Sequence, residues 1–248
     1  MAKIIVYDFD GTLTPYALPK FELLEKSGLE NGAYNPKFLE LSRKRAKDKN
    51  IDLYTAIYET YFEIVKEAGF KLTDENFSFG YDNIVYNRGV PDFLKMLSRN
   101  NVANYLLSSG VKVFLEKVAI AEYFKEIYAT TFIYNQDLEV TAFDFLMSDK
   151  NKVAALKEIL RKNEITDEDC SDVVYIGDGL TDYYVMKYIR EHGGTSIFAY
   201  LDANSKDMQS IKEKDVVDFY MKADFSSGSE LLNLNGVYAR LYNAQFAK

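Results

Sequence analysis

Two short acidic segments, far apart in the chain, contain the residues best suited to chemistry. Asp8 and Asp10 belong to the first, and Asp178 and Asp182 belong to the second. The segments are DFDGTLT (residues 8–14) and GDGLTD (residues 177–182), which follow the apolar runs IIVY (residues 4–7) and VVYI (residues 173–176). Such runs are typical of buried strands, and open α/β sheets bind ligands at the carboxyl ends of their strands. Two carboxylates about 4 Å apart repel by on the order of 4 kcal/mol at an effective dielectric of about 20, so a cluster of four indicates a divalent cation.

Two further segments could bind an anion. Ser108 and Ser109 follow a predicted strand and precede a helix predicted from Val111 to about Ala121, where hydroxyl and backbone N–H groups could hold phosphate. Ordinary N-capping by serine is the alternative interpretation. Lys152 begins an amphipathic segment and could neutralise phosphate oxygens, although Lys150 could do the same and an exposed lysine is the ordinary interpretation.

Composition excludes several classes of protein. The formal charge of -8 argues against non-specific binding to nucleic acid, which needs a basic surface. The single cysteine, Cys170, excludes an internal disulfide framework and a cysteine zinc site. The single histidine, His192, leaves no Ser-His or Cys-His pair, and the glycines after it indicate a helix end.

Targeting and membrane signals are absent from the sequence. The N-terminus enters a predicted strand directly and lacks the apolar region of a signal peptide. No apolar segment approaches the 18 residues that a membrane span needs. We therefore expect a cytoplasmic enzyme that does not act at a membrane, and the sequence gives no indication of its oligomeric state.

The pattern of strands and helices predicts an α/β fold, a doubly wound, mostly parallel, Rossmann-like sheet with an inserted helical cap domain. The predicted strands are residues 3–8, 102–108, 173–177 and 195–201, with a weaker one near 223–226. About 90 residues separate the first two strands, far more than an ordinary connection holds. We therefore predict a catalytic core of residues 1–14 and 89–248, with residues 15–88 forming a helical cap inserted after the first motif.

The predicted insertion contains helix signals and many aromatic residues. Asn35-Pro36 and Thr73-Asp74 are typical helix starts, and residues 51–68 have an apolar face with helical spacing. The spacing predicts that most of the aromatic residues pack in the cap, while a few could line a pocket for an aromatic or sugar leaving group. A smaller feature at residues 130–145 predicts a hairpin with its turn at residues 135–137.

The four motifs, in this order, resemble the haloacid dehalogenase-like superfamily, and most closely its phosphoserine-phosphatase-like branch with a helical cap. The motifs are DFDGTLT at 8–14, LLSSG at 106–110, a lysine near 152 and GDGLTD at 177–182. The resemblance extends from residue 3 to about residue 200, and four ordered motifs are far more specific than one. It implies a Mg²⁺-dependent hydrolase of phosphate monoesters.

The resemblance implies a role for each matching residue. Asp8 would be the nucleophile, and Asp10 would be the general acid and base, with its backbone carbonyl as a metal ligand. The remaining assignments are phosphate binding by Ser108, Ser109 and Lys152, metal binding by Asp8, Asp10 and Asp178, and support by Thr12, Gly179 and Asp182. Oxygen ligands without histidine or cysteine favour Mg²⁺ over zinc.

The leading hypothesis is a phosphatase acting on a small phosphorylated metabolite. The second aspartate, Asp10, favours phosphatases and phosphomutases within the superfamily, so a phosphomutase is one alternative. A non-catalytic phospho-ligand binding protein on the same scaffold is the other. Phosphoserine phosphatases usually have serine after the second aspartate, whereas this chain has Gly11, so phosphoserine is not the expected substrate.

Overall fold

A seven-stranded sheet forms the centre of the computed structural model, which describes residues 4–16, 22–32, 35–166 and 168–232. The strands are β1 (Ile4–Tyr7), β2 (Ala103–Val111), β3 (Glu126–Tyr134), β4 (Val140–Phe145), β5 (Val173–Gly177), β6 (Thr195–Tyr200) and β7 (Phe219–Lys222). Their spatial order is β4-β3-β2-β1-β5-β6-β7, and every neighbouring pair is parallel except β3 and β4. The predicted α/β fold with a mostly parallel sheet is confirmed.

The central position of β1 explains why its sequence is entirely apolar. Alternate side chains of β1 enter two cores on opposite faces of the sheet, with Ile5 and Tyr7 in one and Ile4 and Val6 in the other. Tyr7 is in register with Leu106 of β2 and Ile176 of β5. The residues that follow these three positions therefore emerge at the same edge of the sheet.

Nine α-helices occur in the described part of the chain. They are α1 (Glu22–Lys26), α2 (Pro36–Lys49), α3 (Leu53–Glu67), α4 (Asp74–Phe77), α5 (Val90–Arg99), α6 (Lys112–Leu115), α7 (Asp149–Lys162), α8 (Tyr183–Glu191) and α9 (Lys206–Lys214). His192 directly follows α8, as its glycine-flanked setting predicts. No helix of the described residues is both long enough and apolar enough to cross a membrane.

Helices α1 to α4 all lie between β1 and β2, where the long insertion is predicted. Side chains cap α2 and α4 at the predicted starts, Asn35 and Thr73, and Asp52 caps α3. Tyr58 and Tyr61, on the predicted apolar face of α3, are buried. The insertion is therefore helical, while its boundaries as a domain remain a prediction.

Two predicted elements are wrong. The helix predicted from Val111 to about Ala121 is limited to α6, because the chain stays extended as far as Val111, which pairs with Thr130 of β3. The weak strand predicted near 223–226 lies earlier, as β7. Residues 224–226 form a turn, in which the Asp224 carboxylate accepts from the Ser226 N–H at 2.9 Å.

The predicted hairpin is present with shifted limits, as β3 and β4. Its turn is stabilised by the Asn135 side chain, which accepts from the backbone N–H groups of Asp137 at 3.0 Å and Glu139 at 2.9 Å. Parts of several predictions lie outside the described residues: residues 1–3 and 233–248 of the core, and residues 17–21 and 33–34 of the cap.

Candidate active site

Asp8 follows β1 directly and lies at the edge of the sheet where β2 and β5 also end. Its backbone N–H donates to the carbonyl of Ile176 at 2.9 Å, which extends the pairing of β1 with β5 by one residue. Asp8 as a residue is 5% exposed, and its Oδ1 accepts from the Lys152 ammonium at 2.7 Å. The hydrogen bond to Lys152 therefore fixes Oδ1 of the Asp8 carboxylate and leaves Oδ2 available to other partners.

Lys152 lies in the first turn of α7 and is fully buried. Its Nζ donates to Asp8 Oδ1 and to Asp182 Oδ1, both at 2.7 Å. Burial lowers the pKa of this ammonium, but the two carboxylates outweigh burial and raise the pKa well above its usual range. Lys150 is exposed, so Lys152 is the lysine that reaches the acidic residues.

Asp182 is buried and surrounded by donors. Its Oδ1 accepts from Lys152 and from the Tyr175 hydroxyl at 2.6 Å, and its Oδ2 accepts from the backbone N–H groups of Asp178 and Gly179, each at 3.2 Å. Four donors thus occupy the two carboxylate oxygens of Asp182. Asp182 therefore holds Lys152 and the turn at Asp178 and Gly179 in place.

Asp178 reaches the site from the turn after β5. Its Oδ1 accepts from the Thr12 hydroxyl at 3.0 Å, which joins the first acidic segment to the second. Gly11 has a φ of +80°, and a Cβ at that position would lie 2.0 Å from Asp178 Oδ2. Glycine is therefore required here for two reasons, the left-handed backbone and the close approach of a carboxylate.

Oxygens of Asp8, Asp178 and Asp182 all lie within 4.8 Å of one another. Burial is the main cause that raises the pKa of Asp8 to about 7, with the Asp182 carboxylate adding to the rise and Lys152 opposing it. Burial and the neighbouring Asp8 also raise the pKa of Asp178 well above its usual range. Three carboxylates thus lie beside one ammonium group, an arrangement that favours the binding of a cation.

The remaining predicted residues are arranged around one cavity of about 360 Å³. Asp8, Asp10, Ser109, Asp178 and Gly179 all line it. Asp10 is half-buried, so the second carboxylate of the first motif faces the same space as Asp8.

The two serines are positioned differently from the prediction. Ser108 and Ser109 lie in the extended end of β2, not at the start of a helix, and the Ser108 hydroxyl accepts from the Gly110 N–H at 3.0 Å. The Tyr54 phenol lies close enough to interact with the Ser109 side chain. Among the described residues, however, none forms a hydrogen bond of normal length and angle with the buried Ser109 hydroxyl. Ser109 thus presents a polar group at the cavity that could serve a ligand.

Two tyrosines near the site were not singled out by sequence reasoning. Tyr175 holds Asp182, and Tyr58 donates its hydroxyl to the Ser109 carbonyl at 2.9 Å. A tyrosine within an otherwise aliphatic buried strand is the signal for Tyr175, because a buried phenol needs a hydrogen-bond partner. Tyr58 has no comparable signal, since it lies on a helical face that is apolar for packing reasons.

The sequence profile of the haloacid dehalogenase-like hydrolase family matches residues 5–187, a range that contains every residue of the site. The chain belongs to the haloacid dehalogenase-like hydrolase family. Comparison with curated protein sequences gives no significant match.

Solved structures of haloacid dehalogenase-like hydrolases resemble the chain in fold. A phosphoserine phosphatase, solved as an analogue of its phospho-aspartyl intermediate, has 18% identity and a TM-score of 0.60 over 88% of this chain and 92% of its own. A probable phosphoserine phosphatase from Vibrio cholerae has 12% identity and a TM-score of 0.64 over 99% of this chain and 66% of its own. A family hydrolase from Salmonella enterica subsp. enterica serovar Typhi has 15% identity and a TM-score of 0.62 over 89% and 68%. The predicted family and branch are confirmed at the level of the fold.

Proposed function

We propose that this hydrolase is a Mg²⁺-dependent phosphatase that cleaves a small-molecule phosphate monoester through an aspartyl-phosphate intermediate. The observation that supports this most directly is the arrangement of Asp8, which is held by Lys152, lies close to Asp178 and lines a cavity. Phosphoryl transfer to a carboxylate needs three components in one pocket. They are the nucleophile, a cation, and a second anionic group that binds the cation.

The residues present suit magnesium. All the candidate ligands are oxygens, and the carboxylates of Asp8, Asp178 and Asp182 lie close together beside the single ammonium group of Lys152. We assign the metal to Asp8, Asp178 and the backbone carbonyl of Asp10, because both oxygens of Asp182 are already occupied by donors. When bound, the cation would screen the charges of the nucleophile and the phosphate and polarise the phosphoryl group.

The chain's own residues would carry out two displacements. In the first, Asp8 Oδ attacks phosphorus, the ester P–O bond breaks, and Asp10 gives its proton to the departing alkoxide oxygen. In the second, Asp10 takes a proton from a water molecule, the hydroxide attacks phosphorus, and the acyl phosphate bond breaks to release inorganic phosphate and restore Asp8. Protons and bonds balance over the cycle, and Lys152 keeps the Asp8 carboxylate oriented throughout.

Phosphate oxygens would be held by Ser108, Ser109 and Lys152. Two of the three ammonium N–H groups of Lys152 bind Asp8 and Asp182, and we assign the third to phosphate. Thr12 and Gly179 would support the site by fixing the Asp178 turn, whose carboxylate accepts from the Thr12 hydroxyl. The substrate would be a small phosphorylated metabolite, with residues 15–88 acting as the cap over a core of residues 1–14 and 89–248.

Replacing the nucleophile tests the proposal. We expect Asp8→Asn to remove Mg²⁺-dependent turnover of p-nitrophenyl phosphate by more than about 1,000-fold, since the amide cannot form the covalent intermediate. Asp48→Asn, at an exposed position of α2, is the matched control and should retain full activity. Circular dichroism and thermal unfolding establish that both variants are folded. Full activity in Asp8→Asn would overturn the proposal.

The alternatives are distinguished by product analysis. Isomerised sugar phosphate without release of inorganic phosphate would identify a phosphomutase. Binding of phosphorylated ligands without any turnover in the presence of Mg²⁺ would identify a non-catalytic binding protein.

A further inference from the structure

The cavity has two chemically different ends. Its carboxylates and Ser109 lie at the edge of the sheet, whereas the wall formed by the helical insertion consists mainly of apolar and aromatic side chains. Tyr54 and Ile57 of α3, with Phe77 and Phe79 near α4, represent this wall. If phosphate occupies the carboxylate end, the group that it esterifies must lie against the apolar wall.

Few charged side chains of the cavity could pair with a charged group on the esterified alcohol. Among the described residues that line the cavity, neither lysine nor arginine occurs. Away from the sheet edge the polar groups are the side chains of Asn76, Thr181 and Asp207 and the phenol hydroxyls of Tyr54, Tyr58 and Tyr61. Asp207 is exposed, and the Asn76 amide nitrogen already donates to the Lys71 carbonyl at 2.6 Å. The Tyr58 phenol is likewise occupied, because it donates to the Ser109 carbonyl.

Desolvation then discriminates between classes of leaving group. A carboxylate or an ammonium group buried without a partner costs far more than it gains, and a hydroxyl without a hydrogen bond also carries a penalty. An apolar group placed against the same wall gains free energy in proportion to the area removed from water. The lining therefore disfavours an amino-acid or polyol ester and favours an uncharged, apolar one.

We propose that the physiological substrate is a phosphate monoester of an uncharged and mainly apolar aryl or alkyl alcohol, which the wall of α3 and α4 binds. This inference rests on the phosphatase function proposed above. The reaction is the one already written, in which the ester P–O bond breaks and the alkoxide oxygen takes the Asp10 proton to leave as the neutral alcohol. The wall contributes binding and orientation only.

Substrates whose alcohols have similar acidity have similar intrinsic reactivity, so differences in their kcat/KM report on recognition. We expect kcat/KM for benzyl phosphate and hexyl phosphate to exceed that for O-phosphoserine, glycerol 3-phosphate and phosphocholine by about tenfold or more. Acetyl phosphate, which has no large group for the wall to bind, reports on the phosphoryl site alone. Calorimetry supplies a readout without turnover, in which benzylphosphonate should bind in the presence of Mg²⁺ more tightly than 2-amino-3-phosphonopropionate.

Variants of the wall connect selectivity to the named residues. Ile57→Ala and Phe79→Ala should lower kcat/KM for benzyl phosphate by about tenfold, mainly through KM, and should lower kcat/KM for acetyl phosphate by a clearly smaller factor. Leu53→Ala, at a 44% exposed position of the same helix as Ile57, is the matched control and should change neither.

The outcomes are distinguishable. Equal or better hydrolysis of O-phosphoserine, glycerol 3-phosphate or phosphocholine would overturn the apolar assignment and leave the phosphatase intact. Loss of acetyl phosphate turnover in Ile57→Ala and Phe79→Ala, with both folded, would also overturn it. No hydrolysis of any of these compounds by the unmodified protein would overturn both the assignment and the proposed function.

Discussion

Lys152 places an ammonium group in the protein interior, between the carboxylates of Asp8 and Asp182. Removing the charge would leave both acids buried without their partner, which typically costs about 3–5 kcal/mol. We therefore expect Lys152→Met to lower the free energy of unfolding by that amount, measured by urea denaturation in EDTA. Lys150→Met, at the exposed position two residues earlier, should change it by less than about 0.5 kcal/mol. Equal effects at the two positions would contradict the burial argument.

Gly11 allows a second comparison at single-residue scale. Gly11→Ala introduces a methyl group 2.0 Å from Asp178 Oδ2 in addition to left-handed strain, whereas Gly28, with a φ of +88°, has no atom within 4 Å of its added Cβ. Both substitutions should cost about 1–2 kcal/mol of stability through the backbone. Only Gly11→Ala should also weaken Mg²⁺ activation, seen as a higher Mg²⁺ concentration for half-maximal rate. The same Mg²⁺ dependence in both variants would show that Asp178 tolerates displacement.

The candidate site could be predicted as far as chemistry is encoded in short motifs. Asp8 and Asp178 follow apolar strands, and the edge of a parallel sheet brings such positions together. The orientation of Ser109 and the part played by Tyr58 could not be predicted, because both depend on how α3 packs over β2, a contact between residues far apart in sequence.

The helical insertion is joined to the sheet through the β3–β4 hairpin. The Val140 N–H donates to the Leu72 carbonyl at 2.7 Å, and an ion pair joins Lys71 and Glu139 at 2.9 Å. Rings continue the contact, since Phe132 of β3 stacks on Phe77 of α4 with centroids 4.8 Å apart. The hairpin therefore positions one wall of the cavity.

Adjacent residues of β3 test this junction. Phe132 is buried among aromatic rings, whereas Ile133 is 48% exposed on the other face of the strand. We expect Phe132→Ala to cost about 3–5 kcal/mol of unfolding free energy and Ile133→Ala less than about 0.5 kcal/mol. Because the aromatic contact supports the wall, Phe132→Ala should also raise KM for benzyl phosphate. An unchanged KM in the folded variant would show that the hairpin stabilises the fold without shaping the cavity.

Element prediction succeeded where a local signal and the tertiary environment agree. The caps at Asn35 and Thr73 and the apolar runs of β1 and β5 are examples. It failed after Ser109, because pairing of Val111 with β3 keeps extended a segment whose composition would also suit a helix. Strand pairing across long sequence separations carries no local signal.

At the scale of the whole molecule, the acidic cluster makes stability depend on pH. Burial raises the pKa of Asp8 from 3.8 to about 7, so between these values the folded protein keeps a proton that the unfolded chain has lost. The free energy of unfolding should therefore fall as pH rises from about 4 to about 7 in EDTA. In the proposed function Mg²⁺ binds the ionised form, so we expect it to reverse the trend and to give a larger rise in Tm at pH 7.5 than at pH 5.

The matched variant for this measurement is Asp8→Asn, which cannot titrate. Its Tm in EDTA should vary less with pH over the same range, and Mg²⁺ should raise it less. A Tm in EDTA that increases steadily from pH 4 to pH 7 in the unmodified protein would contradict the assignment of raised pKa values to this cluster.

The α/β class, the mostly parallel sheet and the long insertion could all be predicted, because alternating strands and helices together with an overlong connection leave few other folds. The order of the strands could not be predicted, and neither could the position of β4 at the edge of the main sheet. The hairpin pattern predicts that β3 and β4 pair with each other, but it does not predict where the pair joins the sheet.

Tyr58 links two tasks that an engineer would prefer to keep separate. Its ring lines the cavity and lies 5.6 Å from that of Phe143 of β4, while its hydroxyl donates to the Ser109 carbonyl. A substitution of Tyr58 that makes room for bulkier alcohols would also remove the hydrogen bond to the Ser109 carbonyl. We therefore expect any gain in selectivity to be accompanied by slower turnover. Libraries that vary Ile57 and Phe79 and keep Tyr58 constant would avoid that compromise.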